Sequence, residues 1–205
     1  MFKKMLVLMM LVLAIPATVS AQSADASIYI KMSNGGGGPQ IIPWFTYDSG
    51  FVFLETRANF DWKDALTFYV GKSFKIGSTT TVIPEAGVIW GELYKSYTPQ
   101  VLAFGGNEKV GWVTLNQLSF GFNDESPDFA YHWAECLWKA KPYLSVGGGE
   151  QVYWEYGTNG SDAQVDIGPV IKFHFSHGFY AKLWGTTDPN NSSTRKLFIG
   201  LGNSF

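Results

Sequence analysis

Asp162-Ala163-Gln164-Val165-Asp166-Ile167-Gly168-Pro169-Val170-Ile171-Lys172-Phe173-His174-Phe175 reads in steps of two. Ala163, Val165, Ile167, Pro169, Ile171, Phe173 and Phe175 fall on one parity; Asp162, Gln164, Asp166, Gly168, Lys172 and His174 fall on the other. Only Val170 breaks the polar or small set. Side chains alternate across a β-strand with period two, so this segment presents one wholly apolar face and one ionisable face. A helix would mix the two sets.

The same alternation recurs. Thr80 to Trp90 sets Val82, Pro84, Ala86, Val88 and Trp90 against Thr81, Glu85 and Gly87, with Ile83 and Ile89 on the polar side. Phe51 to Phe60 sets Val52, Leu54, Ala58 and Phe60 against Glu55, Arg57 and Asn59, and Phe179 to Gly185 sets Phe179, Ala181 and Leu183 against Tyr180, Lys182 and Trp184. Short turn signals stand at Asp48-Ser49-Gly50, Lys75 to Ser78, Gly105 to Lys109, Lys139 to Pro142 and Ser176-His177-Gly178. Longer links at Asn34 to Gln40, Asp61 to Lys63, Glu92 to Thr98, Asn123 to Asp128, Gly157 to Ser161 and Thr186 to Arg195 tend to alternate with them. Tight turns at one end and larger loops at the other are the asymmetry of a membrane-spanning barrel. The fold class expected is therefore all-β, a single antiparallel transmembrane β-barrel of about twelve strands. Ten or eight are the alternatives, since Ile41 to Tyr47 and Pro99 to Gly105 are short and Pro43 weakens the first.

Composition agrees. With 17% aromatic residues, 23 glycines and only 16% charged residues, the polar parity lacks the lysine and glutamate of a soluble barrel, the alternative fold considered. The eight tryptophans lie towards predicted strand ends, as interfacial girdles would. At the amino terminus Lys3 and Lys4 precede an apolar run from Met5 to Ile15, closed by Pro16 and followed by Val19-Ser20-Ala21. These features predict a secretory signal peptide over 1–21 and a barrel over 22–205. The run is too short to serve as a bilayer helix. Cys136 is the single cysteine, so no intramolecular disulfide is available. Loss of the leader takes the formal charge from −2 to −4, which excludes the basic surface of a nucleic-acid partner.

At the carboxyl end Leu197, Ile199, Leu201 and Phe205 share one parity, with Asn203 interrupting it. A last strand of alternating apolar residues ending in phenylalanine resembles the assembly signal of bacterial outer-membrane β-barrel proteins. That resemblance implies location in a bacterial outer membrane, with outer-membrane lipid and the barrel-assembly machinery as partners.

With the apolar parity facing lipid, Lys31, Glu55, Arg57, Glu85, Asp166, Lys172, His174 and Lys182 point into the lumen. Glu55, Arg57, Glu85, Asp166, Lys172, His174 and Lys182 are the candidate binding residues, either as a paired filling or as the lining of a wet channel. Gly71, Gly87, Gly168, Gly200 and Gly202 are expected to leave lumen space. The faces of Val110 to Phe122, Phe129 to Leu137 and the segment around Glu150 stay open, because Asn116 opposes Gln117 and His132 opposes Glu135. A bulge at Gly147-Gly148-Gly149 would turn Glu150 inward.

Catalysis would rest on His132, His174 or His177, yet Ser176 and His177 are sequence neighbours and the chain carries no match to the histidine-serine signatures of outer-membrane phospholipases or lipid A deacylases. No metal or cofactor is expected: Asp162, Asp166 and His174 span too much strand length to share one ion, and the Asn34 to Gly38 run lacks the lysine of a phosphate loop. The function expected is a narrow, porin-like channel for small solutes. An occluded barrel acting through its outer loops is the alternative, and a lipid-modifying enzyme is less favoured.

Overall fold

A computed structural model describes residues 23–34, 38–61, 63–92, 94–123, 126–157, 160–189 and 194–204. The predicted leader, the glycine run Gly35 to Gly37, Trp62 and Phe205 lie outside the described residues. The strands are β1 (Ser23–Ser33), β2 (Gln40–Asp48), β3 (Phe53–Ala58), β4 (Ala65–Gly71), β5 (Phe74–Ile76), β6 (Thr80–Gly91), β7 (Lys95–Gly106), β8 (Val110–Gly121), β9 (Asp128–Lys141), β10 (Leu144–Gly157), β11 (Gly160–His174), β12 (Phe179–Thr187) and β13 (Arg195–Ser204). Each pairs antiparallel with its chain neighbour, except that β4 skips β5 to pair with β6; β1 pairs with β13 and closes the ring. Twelve strands form the barrel. β5 is an extra short strand that extends β4, because both pair with β6 in one register, Gly71 opposite Glu85 and Phe74 opposite Val82. The break falls beside Pro84, which has no N–H to give; only the Lys72 N–H reaches across, to Pro84 O at 3.4 Å.

Both short segments of the sequence become full strands, β2 and β7. Alternation sets the faces as expected on β6, β11 and β12: Val88, Trp90, Ile167, Ile171 and Leu183 are exposed outward, while Glu85, Asp166 and Lys182 are buried inside. On β8, β9 and β10 the odd-numbered residues face inward and the even-numbered ones outward. No bulge forms at Gly147 to Gly149; the register shifts between Leu144 and Ser145 instead, so Glu150 faces outward, paired opposite Ala134. Outward aromatic residues gather at the two ends, with Trp90, Tyr97, Phe120, Trp154 and Tyr156 near the long loops and Phe74, Trp138, Tyr143, Phe175 and Phe179 near the tight turns. Trp44, Trp133 and Trp184 depart from the girdle expectation and sit in the lumen. Each stands on the inward parity of its strand, Trp133 with Glu135 and Trp184 with Lys182.

The tight-turn end closes by short turns of the expected kind: Asp48 Oδ1 accepts from Gly50 N at 2.6 Å, and Gly50 takes φ +80°, open to glycine without cost. Inside, Phe53, Ile83, Leu102, Leu115, Trp133, Val170, Trp184 and Phe198 form one apolar cluster that fills the middle of the barrel and its tight-turn half.

Candidate functional site: a charged lumen beneath a vestibule

The β3–β4 connection decides the shape of the lumen. Asn59 and Asp64 adopt φ +58° and +60°, a left-handed conformation that asparagine and aspartate tolerate better than most residues. Between them the chain turns into the barrel, so Phe60 does not continue the outward parity of Leu54 and Ala58. Its ring packs against Trp44 and Tyr131 at centroid distances of 5.2 and 5.3 Å. Asp61 follows it inward with its side chain buried. The base of the turn is braced: Asn59 N–H donates to Ala65 O at 2.8 Å, Asn59 Nδ2 to Ile41 O at 2.9 Å, and Gln40 Nε2 to Asn59 O.

Arg57 is the hub of one wall. Its Nη2 donates to Gln100 Oε1 at 2.6 Å and to Gln117 Oε1 at 3.3 Å. Its Nε lies 3.0 Å from Glu55 Oε1, an ion pair whose angle falls short of a hydrogen bond, and Nη2 lies 3.9 Å from Asp61 Oδ1. Gln100 Nε2 bridges Glu55 at 3.2 Å and Glu85 at 2.8 Å, while Gln117 Nε2 donates to Asp61 Oδ1 at 2.7 Å. The guanidinium lies over the rings of Phe60 (4.4 Å), Tyr69 (4.7 Å) and Trp44 (5.2 Å), the desolvated setting in which cation–π attraction is strongest. One cation thus faces three carboxylates.

The opposite wall carries both signs. Lys196 Nζ meets Asp166 Oδ2 at 2.5 Å, and Gln151 Nε2 donates to the same oxygen at 2.8 Å. Lys182 Nζ meets Glu135 Oε1 at 2.6 Å and lies over Tyr29 and Trp133. Lys172 sits 3.9 Å over the Tyr180 ring, Lys31 lies 5.7 Å over Phe198, and His174 Nε2 is 2.9 Å from Ser145 Oγ. These four lysines share the wall with Asp166 and Glu135, and with Glu155 towards the long loops and Asp25 towards the tight turns, so both signs are spread along it.

Towards the long-loop end the walls part around a vestibule of about 340 Å³, edged by Lys31, Lys63, Glu155, Asp166 and Lys196 and floored by Phe60, Tyr131 and Phe198. Beneath that floor a gap of only about 30 Å³ remains among Trp44, Trp133, Glu135, Lys182 and Trp184.

All seven candidate residues face the interior, in separate groups: Glu55, Arg57 and Glu85 share one network, while Asp166, Lys182, Lys172 and His174 each hold different partners opposite. Gln100, Gln117, Asp61, Glu135, Gln151 and Lys196 belong with them and were not singled out in the sequence. The parity Ser96, Thr98, Gln100 pointed to the first; Asp61 carries no such signal, because it reaches the lumen by a turn. The expectation of lumen space at the glycines fails. A side chain at Gly87 would strike the Tyr69 ring, at Gly200 the Tyr29 ring, at Gly202 the Tyr180 ring, and at Gly168 the Gly185 carbonyl. These glycines make room for aromatic rings and backbone, not for solute.

No protein-family model and no curated protein sequence matches the chain. Solved structures do. The chain has the fold of outer-membrane porins. The NanC porin superposes with a TM-score of 0.67 at 8% identity, over 87% of this chain and 98% of that one. The KdgM porin gives 0.62 at 10% identity, over 88% and 99%. An outer-membrane channel from Pseudomonas putida F1 gives 0.59 at 11% identity, over 91% and 96%.

Proposed function

We propose that the protein is a bacterial outer-membrane barrel that acts as a narrow channel for small polar solutes, entered from the vestibule at its long-loop end. An apolar outward belt bounded by aromatic residues at both ends suits a lipid bilayer, and the porin fold agrees with it. On the same basis the leader 1–21 is removed on export, and the assembly machinery reads the last strand. The observation that carries the channel reading is the state of the charged walls. Arg57 Nη1, Glu55 Oε2, Glu85 Oε1 and Asp166 Oδ1 are buried without a hydrogen-bond partner among the described residues. Leaving charged groups so is costly in a dry interior, and a hydrated path supplies what they lack. The floor of the vestibule is made in part by Phe60, a residue of a turn and not of the barrel wall, so a side-chain rotation there opens the way to the narrow level beneath without disturbing strand pairing.

A second reading has its own observation: Ile83, Leu115 and Val170 are fully buried across the lower lumen, as a plugged barrel acting through its loops would require. An enzyme reading is the weakest. His132 has Asn116 Oδ1 at Nδ1 (2.8 Å) and Glu150 Oε1 at Nε2 (3.3 Å), so it faces no nucleophile, and His174, whose Nε2 meets Ser145 Oγ at 2.9 Å, has no carboxylate or amide at Nδ1 to orient it among the described residues. Single-channel recording of refolded 22–205 in a planar bilayer separates the first two. Steady openings that grow in Phe60→Ala support the channel; silence over many insertions of both proteins supports the plugged barrel.

A further inference from the structure

On nine of the twelve barrel strands the outward mid-section is built from residues such as Ile28, Leu54, Phe68, Val88, Val101, Ile167, Leu183 and Ile199. β8, β9 and β10 differ. Their outward middle consists of Thr114, Asn116 and Leu118, then Ala130, His132, Ala134 and Cys136, then Gly148, Glu150 and Val152. This patch lies between Trp112 and Trp138 towards the tight turns and Phe120 and Trp154 towards the loops. Among the described residues facing outward between the two aromatic levels, Glu150 is the only carboxylate and His132 the only imidazole, and neither a lysine nor an arginine joins them. His132 lies between Asn116 and Glu150, on the first through Nδ1 and on the second through Nε2, yet Glu150 keeps 53% of its side chain exposed and His132 keeps 35%. Beside them a shallow groove of about 400 Å³ runs past Val101, Leu118, Ala130 and Val152.

From this we infer that β8–β10 form the contact face of a homodimer within the membrane, resting on the membrane placement proposed above. A carboxylate half exposed to hydrocarbon is unfavourable wherever it finds no donor. A second copy supplies one. Both ring nitrogens of His132 are engaged within the copy, so the groups left to face a partner are the second N–H of Asn116 Nδ2, whose first goes to Thr114 Oγ1, and Glu150 Oε2, and a two-fold axis through the patch sets each copy's amide donor against the other's carboxylate. Ala130, Ala134 and Gly148 let the two walls approach closely, the same use of small residues that packs helices in membranes. Lipid chains offer neither the donors nor a reason for the small residues to cluster here. Cys136 is exposed on this face and reports on the contact.

The test refolds 22–205 into phosphatidylcholine vesicles over a series of lipid dilutions and cross-links with a short bis-maleimide. Expected is a Cys136-linked dimer that persists on dilution, absent from a Cys136→Ser/Leu201→Cys control on β13, four strands round the barrel from β9. His132→Leu/Glu150→Leu should weaken association roughly tenfold, the scale of one or two hydrogen bonds lost in a membrane interface. Ala134→Phe, which keeps the polar groups but holds the walls apart, should do the same, with gel heat-modifiability confirming that each variant is folded. Cross-linking at Cys136 no faster than at the control, or a dimer indifferent to all three substitutions, overturns the inference. Failure of the wild type to enter vesicles at all would instead remove the membrane placement beneath it.

Discussion

The interior divides into two unlike halves. Towards the long loops, charged and amide side chains line a vestibule, and the Arg57 network leaves carboxylate and guanidinium atoms unpaired. Towards the tight turns, branched aliphatics and tryptophans pack tightly, and the charges among them, Lys182 on Glu135 and Lys172 over the Tyr180 ring, each hold a partner. A pore needs space and polarity, a stable barrel needs packing, and dividing them along the axis lets one lumen hold both. What separates the halves is a layer of rings, Trp44, Phe60, Tyr131 and Trp133, and the turn that delivers Phe60.

The division is broken most severely from below. Trp184→Ala, in the packed half, should lower stability by about 3–5 kcal/mol through transfer and cavity costs, read as a shift in the urea midpoint of refolding in vesicles. A loss near 1 kcal/mol would mean that the lower lumen is loosely filled and the contrast is false. On β11 the comparison runs across the wall: Ile167→Lys puts a charge on the lipid side and should cost about 2–4 kcal/mol, whereas Val165→Thr, on the same face without a charge, should cost far less. Equal effects would show that this face is not in lipid. Gly87→Ala drives a methyl against the Phe68 carbonyl and the Tyr69 ring; overpacking of about 1–3 kcal/mol is expected, and the displaced Tyr69 should also loosen its contact with Arg57. At the dividing layer, where Phe60 loses two ring contacts and the Arg57 guanidinium as well as its partial burial, Phe60→Ala should cost about 2 kcal/mol, less than Trp184→Ala, yet give the largest change in conductance. If stability falls sharply while current stays unchanged, Phe60 is a structural ring and the passage lies elsewhere.

Strand number and the faces of β6, β11 and β12 were legible because each of these strands keeps its charges on one parity. The three strands from β8 to β10 were not, and the cause is physical: with Asn116 beside Gln117 and His132 near Glu135, both faces carry polar groups, so hydrophobic alternation loses its meaning there. Asp61 and Phe60 escaped for a different reason. Period-two patterning describes extended chain only, and a left-handed pair at Asn59 and Asp64 redirects the residues between them. The glycines misled because absence of a side chain looks the same whether solute or a neighbouring ring fills the gap.

Pairing of β1 with β13 joins the two ends of the described chain, and this governs how the molecule must be made. Until Arg195–Ser204 is in place, the growing sheet has two bare margins, each a row of unsatisfied amides ready to template a stranger. No partial product is a smaller barrel, and the final pairing closes the largest loop the chain can form, the slowest kind of contact to find. The protein therefore has to be held unpaired until its last strand arrives, and its vulnerability to aggregation is concentrated in that interval.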